Sequence, residues 1–299
     1  LGDMTLSNLL IEELDLSQIN FNGNTLTLQC KQLNKIVGSE TFNGSLFLLP
    51  KDCRLTEFTL EGISNIQGDF QCIDYFYVKE FVMPFIRVAG DMTIALNSGS
   101  VNTAAEIEFP KLQEIGGTLT LGTNRNANNI TFPLLKKILG SCSVTTYKLK
   151  NDIEFTNLES IGTDGADAQI KFEIEATNIL CPKLKTINGK FDIATSSFMF
   201  DMEVDKVSYP NVESISENLS ITCPYSDFGS NGILSIDFSG LKSAKGISIS
   251  GQGDVTDFSS FKYLFENNVL TGESQWSVKE CGYNPTFQEM KDGKYKLAE

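Results

Sequence analysis

A thirteen-residue phrase occurs twice in direct succession, and few architectures can accommodate such a recurrence. FPKLQEIGGTLTL (Phe109 to Leu121) is followed by FPLLKKILGSCSV (Phe132 to Val144), which starts 132 − 109 = 23 residues later. Each copy reads aromatic, Pro, any residue, Leu, two polar residues, Ile, then Gly and a short segment whose apolar residues alternate. A period in the twenties marks a stacked solenoid, in which each coil has an apolar side that only its neighbours can cover.

The phrase extends in both directions. Residues 1–50 carry a worn form of it, with Leu26-Thr-Leu28 and then Leu33 and Ile36 leading through Gly44 to Leu46-Phe-Leu48. Phe58, Leu60, Ile63 and Ile66 lead to Gly68, Phe70 and Cys72, and Ile86 and Val88 lead to Gly90, Met92 and Ile94. Past the central pair come FTNLESIG (Phe155 to Gly162), CPKLKTINGKFDI (Cys181 to Ile193), YPNVESISENLSI (Tyr209 to Ile221) and DFSGLKSAKGISI (Asp237 to Ile249). Eight clear positions precede a strand: Gly44, Gly68, Gly90, Gly117, Gly140, Gly189, Asn218 and Gly246. A further coil is placed near Ile170.

Each position has a physical reading. Gly or Asn before the strand suits a backbone turn with positive φ. The strand alternates, so Leu119 and Leu121 point inward while Thr118 and Thr120 face solvent. The aromatic-Pro pair fixes a bend, and Leu112 and Ile115, three apart, suit one turn of 3₁₀ or irregular helix. Strands met once per coil from the same side run parallel, with right-handed crossovers. The fold expected is therefore mainly β, a right-handed parallel solenoid with one short strand per coil and short C-terminal helices as a cap. It forms one domain over residues 1–299: an N-terminal cap and first coil (1–50), repeat coils (51–254) and a C-terminal cap (255–299). In the cap, Phe258, Phe261, Leu264 and Phe265 share a helix face with Asp257 as N-cap. A second helix is signalled by Asn284 as cap, Pro285 and Gly293, with Trp276 and Tyr283 covering the end of the core.

Composition narrows function mainly by exclusion. The 24 basic residues face 38 acidic ones for a formal net charge of −14, a balance that disfavours a nucleic-acid partner, since binders of phosphate backbones concentrate Lys and Arg. No run of about 18 apolar residues occurs, so no transmembrane segment is expected in this chain. The opening LGDMTLSNLL reads as a mature or trimmed chain whose export signal has been removed. The chain contains no histidine, which removes Ser-His-Asp and Cys-His nucleophile systems and His-ligated metals. Seven scattered cysteines form no C-x-x-C pair; Cys142 stands where Leu119 does and Cys181 where Phe109 and Phe132 do, so they read as small buried hydrophobes. Gly251-Gln-Gly253 lacks the following helix of a phosphate loop. No catalytic residue, cofactor or metal is expected.

Carboxylates remain as candidates for chemistry. Asp164 and Asp167, and Asp201, Glu203 and Asp205, are the acidic clusters that a β-helix polysaccharide lyase or hydrolase would need, set against their reading as solvated loop charges. The aromatics Tyr75, Tyr77, Phe198 and Phe200 read as packing between coils, with an exposed patch as the alternative. The outward strand positions line up as a stripe of Asp91, Thr93, Thr118, Thr120, Ser141, Ser143, Lys190, Asp192, Ser220 and Ser248. This stripe is the candidate binding face.

The run FPKLQEIGGTLTL resembles the repeat of the receptor L domain, the short-coiled leucine-rich solenoid of insulin-receptor and epidermal-growth-factor-receptor ectodomains. It is also similar to the leucine-rich surface proteins of gut Bacteroidetes, as is the tail YNPTFQEMKDGK (Tyr283 to Lys294). The resemblance implies a protein that binds other molecules and carries no shared catalytic residues. Receptor L domains are flanked by cysteine-rich modules and closed by disulfides, a pattern the scattered cysteines here depart from, which favours the bacterial exported protein. The expectation is a non-enzymatic extracellular or cell-surface recognition or adhesion module binding protein or glycan through the exposed sheet. The alternatives are the β-helix enzyme and a passive structural spacer.

Overall fold

The computed structural model describes residues 2–7, 9–49, 58–73, 80–97, 105–124, 127–145, 151–165, 167–174, 178–195, 206–223, 235–251 and 255–298. The chain winds as a parallel β-solenoid with three walls, and every strand pairing is parallel apart from one isolated bridge in the C-terminal cap. Wall 1 is a twelve-stranded sheet from Met4–Ser7 to Trp276–Lys279, running through the strands that the repeat phrase marks. Wall 2 stacks eight strands of two residues each, from Thr41–Phe42 to Ser214–Ile215. Wall 3 is broken into three sheets of three, five and two strands.

The parallel solenoid expected from the repeat is thus present, but each coil carries more than one strand. Glu114–Ile115 belongs to wall 2 and Ala105–Glu108 to wall 3. Leu112 does close a turn, its N–H donating to the Phe109 carbonyl at 3.3 Å, but Ile115 is already strand. The same bond recurs at Leu135, Leu158, Val212 and Leu241, and at Leu184 with Cys181 in the place of the aromatic. A single turn suffices because the next backbone donors find carbonyls on the neighbouring coil, as Gln113 does on Ile86 at 2.9 Å, and a buried backbone group takes whichever partner geometry offers.

The glycines of the pre-strand column answer a different need from the one their chemistry suggests. None has a positive φ. Instead the corners of successive coils touch: the Gly68, Gly90, Gly117 and Gly140 N–H groups donate to Gly44, Gly68, Gly90 and Gly117 carbonyls at 2.9–3.0 Å. A Cβ on Gly140 would lie 2.6 Å from the Gly117 carbonyl carbon, and one on Gly117 2.7 Å from that of Gly90. Close approach of backbones, the other role of glycine, explains the column.

Inside, the three walls share one contiguous core. In the coil of Phe109, the residues Ile107, Phe109, Leu112, Ile115, Leu119 and Leu121 are all essentially inaccessible; each contributes about 1.5–3 kcal/mol before the entropy of ordering is subtracted. Phe109, Phe132 and Phe155 stack along the axis at 4.8 and 4.9 Å, with ring planes within 2° and 12°. Cys30, Cys72, Cys142 and Cys181 are all buried, as small hydrophobes at repeat positions should be.

The far end is closed by short helices as the sequence suggests, but neither expected cap residue caps one. Asp257 accepts the Ser259 N–H at 2.7 Å in a local turn, while the 3₁₀ turn Ser259–Phe261 and the helix Lys262–Glu266 have Phe258 and Phe261 at their N-cap positions, with no side-chain cap bond. The second helix, Phe287–Lys291, is capped by Thr286 through a capping box with Glu289. Asn284 instead closes a local loop, accepting from the Cys281 N–H and donating to the Cys281 carbonyl. Trp276 is a wall 1 residue whose indole packs on Phe258, Phe261 and Phe265 and donates to the Pro285 carbonyl.

Candidate functional site

Seven residues of the predicted stripe lie in wall 1 strands and three, Asp91, Thr118 and Ser141, just before them, so that the ten fall into two columns. Thr93, Thr120, Ser143, Asp192, Ser220 and Ser248 stand in a single line across the sheet, with Lys171 between Ser143 and Asp192. Asp91, Thr118, Ser141 and Lys190 lie two residues earlier, at the corner where the glycine column meets the sheet.

The corner column is occupied by the fold itself. Ser45 Oγ accepts the Asp69 N–H at 2.9 Å, Asp69 Oδ1 the Asp91 N–H at 2.8 Å, and Asp91 Oδ1 the Thr118 N–H at 2.6 Å. Ser141 Oγ does the same for the Gln169 N–H at 3.0 Å. Each short acceptor side chain satisfies a donor of the next coil, so Asp91 and Ser141 are fastened to their neighbours. Sequence reasoning grouped them with the outward residues because alternation alone does not distinguish a strand from the corner before it.

The line of six is a polar surface with hydroxyls toward both ends and charge at its centre. Lys190 pairs with Asp192 at 3.0 Å and Lys171 with Glu173 at 2.5 Å. The Lys171 ammonium beside Glu173 holds its carboxyl below the usual carboxylate range against a smaller opposing effect of burial, helped by the Thr145 hydroxyl, which donates to it at 2.8 Å. Neighbouring rungs of a sheet lie about 4.8 Å apart, so this face offers hydrogen-bonding groups at a fixed repeat.

Wall 2 presents a different pattern. Lys136, Glu159, Lys185, Glu213 and Lys242 succeed one another up the stack, each joined to the previous residue's carbonyl at 2.8–3.0 Å. Their signs alternate, and Glu213 Oε2 lies 2.9 Å from Lys242 Nζ. Surface pairs of this kind add little individually, but alternation leaves the wall without a field of one sign.

Asp164 and Asp167 are exposed in the turn that joins wall 2 to the strand Ala168–Ile174. Asp201, Glu203 and Asp205, like Tyr75, Tyr77, Phe198 and Phe200, lie outside the described residues. Among the described residues no group of three or more His, Cys, Asp or Glu side chains is placed to hold a metal ion, and no helix is long and apolar enough to cross a membrane.

One further concavity escaped sequence reasoning. Wall 3 breaks between Ile179–Leu180 and Lys206–Ser208, which belong to different sheets. At this break Cys181 takes the place of an aromatic, and the Tyr209 hydroxyl, fully buried, donates to the Ile179 carbonyl at 3.0 Å. Outside lies a groove of about 330 Å³ lined by Glu154, Thr156, Leu180, Cys181, Pro182, Ser208, Pro210 and Asn211. The signal was Cys181 itself: a thiol fills the column less completely than a ring.

Comparison with protein-family models, curated proteins and solved structures finds no match for this chain.

Proposed function

We propose that this protein is a non-enzymatic recognition or adhesion module that binds protein or glycan through the outward face of wall 1. In this reading it is a leucine-rich, L-domain-like solenoid exported to the cell surface, as in the bacterial surface proteins its repeat phrase resembles. The observation that carries it is the straight line of Thr93, Thr120, Ser143, Asp192, Ser220 and Ser248 across one parallel sheet. Short hydroxyl side chains leave the backbone ridge accessible and lose little rotamer entropy when a partner covers them. The charged pairs at the centre supply orientation, because charge complementarity directs register more than it adds affinity.

A combined glycan and protein array tests the reading. Binding without a cleavage product is expected, and Ser143→Arg, which places a long charged side chain on the line, should abolish it while leaving the thermal unfolding midpoint within a few degrees. Release of unsaturated or reducing sugar ends would replace the proposal with the polysaccharide-acting enzyme. Silence in both assays would leave a structural spacer.

A further inference from the structure

We propose that the groove at the break in wall 3 is a second binding site, separate from the wall 1 face, that takes a lysine-type side chain of an extended partner peptide: an alkyl stem ending in an ammonium. Its floor and sides are apolar. Leu180, Cys181, Pro182 and Pro210 line it, and Leu180 remains 37% exposed. At about 330 Å³ it stands at the small end of ligand pockets, which run from about 300 to 1,000 Å³.

The rim decides the polarity of the occupant. Its polar groups are the Glu154 carboxylate, the Thr156 and Ser208 hydroxyls and the Asn211 amide. Asn211 Nδ2 is already spent on the Pro182 carbonyl at 2.8 Å, which leaves its oxygen as an acceptor. The nearby cations are turned to other partners: Lys183 Nζ donates to Asn157 Oδ1 at 2.5 Å, and Lys206 faces Asp237 at 3.8 Å. Glu154 is exposed, and its carboxylate enters no ion pair among the described residues. In the same column, two rungs away across Thr131, stands a second carboxylate, Glu108. An acceptor-rich, negatively charged rim over an apolar floor is complementary to a group with an apolar body and several N–H donors at its tip. An anion would meet only uncharged donors among the lining residues, and the Glu154 carboxylate would repel it. A sugar ring finds no aromatic face to stack on, since no aromatic side chain lines the groove.

The geometry also suits a strand carrying that side chain. The groove spans three successive coils, through Glu154–Thr156, Leu180–Pro182 and Ser208–Asn211, and two rung spacings of about 4.8 Å match the length of about three residues of an extended peptide laid along the axis.

Amide chemical-shift mapping of the whole chain tests this with n-hexylammonium, n-hexanol and hexanoate as probes, followed by an acetylated Leu-Lys hexapeptide and its Leu-Glu counterpart. The amides of Leu180, Cys181 and Asn211 should shift most with hexylammonium, less with hexanol and least with hexanoate, and the Lys peptide should bind more tightly than the Glu peptide. Glu154→Gln should weaken hexylammonium about fivefold and leave hexanol unchanged. Thr156→Trp, an exposed position whose new ring would occupy the groove, should remove all three responses, whereas Ser143→Arg on wall 1 should change none. Equal or stronger binding of hexanoate, an unaltered response in Glu154→Gln, or shifts confined to wall 1 would each overturn the proposal.

Discussion

Between Phe109 and Phe155 the solenoid repeats almost without variation, whereas between Cys181 and Tyr209 the same positions are filled by different means. In the first region three rings lie face to face, wall 3 is continuous, and the turn after each aromatic closes at 3.3–3.4 Å. In the second, a thiol replaces a ring, the wall 3 pairing lapses, and a tyrosine reaches across with its hydroxyl to the carbonyl left behind. The Tyr209 ring then packs edge-on against Phe191 at 5.4 Å. What a coil position conserves is therefore volume and hydrogen-bond closure across neighbours, and the side chain that provides them can change.

The contrast can be tested most severely at the glycine corner of the regular region. Gly117→Val should prevent folding or cost more than about 4 kcal/mol, since backbone atoms of the preceding coil stand within 2.8 Å of the added carbon. Gly122→Ala, with nothing within 4 Å, should change stability by no more than about 0.5 kcal/mol in denaturant unfolding. Next in size, Phe132→Ala removes the middle ring of the stack and should cost about 3–5 kcal/mol. Cys181→Ala, at the equivalent place in the irregular region, should cost about 1 kcal/mol, near the value of one buried methylene. If the two losses were equal, the regular and irregular regions would not differ in the way described.

Tyr209→Phe isolates the bridging hydroxyl. The Ile179 carbonyl would lose its buried donor, for an expected cost of about 1–3 kcal/mol, and hexylammonium binding in the adjacent groove should weaken as the break relaxes. The smallest effect is one of pH. Burial pushes the Cys142, Cys181 and Tyr209 protons to be held well above their ordinary values of 9.0, 9.0 and 10.0. A group whose folded value is raised contributes stability that is complete below its unfolded value and is lost as pH climbs past it. Unfolding midpoints should thus be flat up to about pH 8 and fall above about pH 9, and Tyr209→Phe should make the fall less steep.

Much of the architecture could be read from residues 109–144, because every apolar position in the phrase faces a single interior and period alone reveals that. The short strands of walls 2 and 3 were hidden, since two residues such as Glu114 and Ile115 have no period to detect. The glycine column was found with the wrong cause: a composition that permits positive φ also permits close contact, and only the stacking distance tells them apart. Thr286 was overlooked as a cap in favour of Asn284, two residues earlier, because both are good N-caps and the deciding partner, Glu289, was not weighed. At the candidate face, seven of the ten residues are in the strands of one sheet and three at the corner before it, where the hydrogen bonds that fix Asp91 and Ser141 join coils 22–28 residues apart and leave no local trace. The groove depends on what Cys181 lacks, and a missing ring is legible only against its stacked neighbours.

The corner bonds from glycine to glycine, and the ladders beside them, all run lengthwise along the molecule. Tension applied between the two chain ends would therefore load one rung at a time. A force-extension trace should show a staircase, each step releasing one coil of 20 residues (Leu26 to Leu46) to 29 residues (Ile247 to Trp276), so the protein would yield gradually where a compact globule would snap.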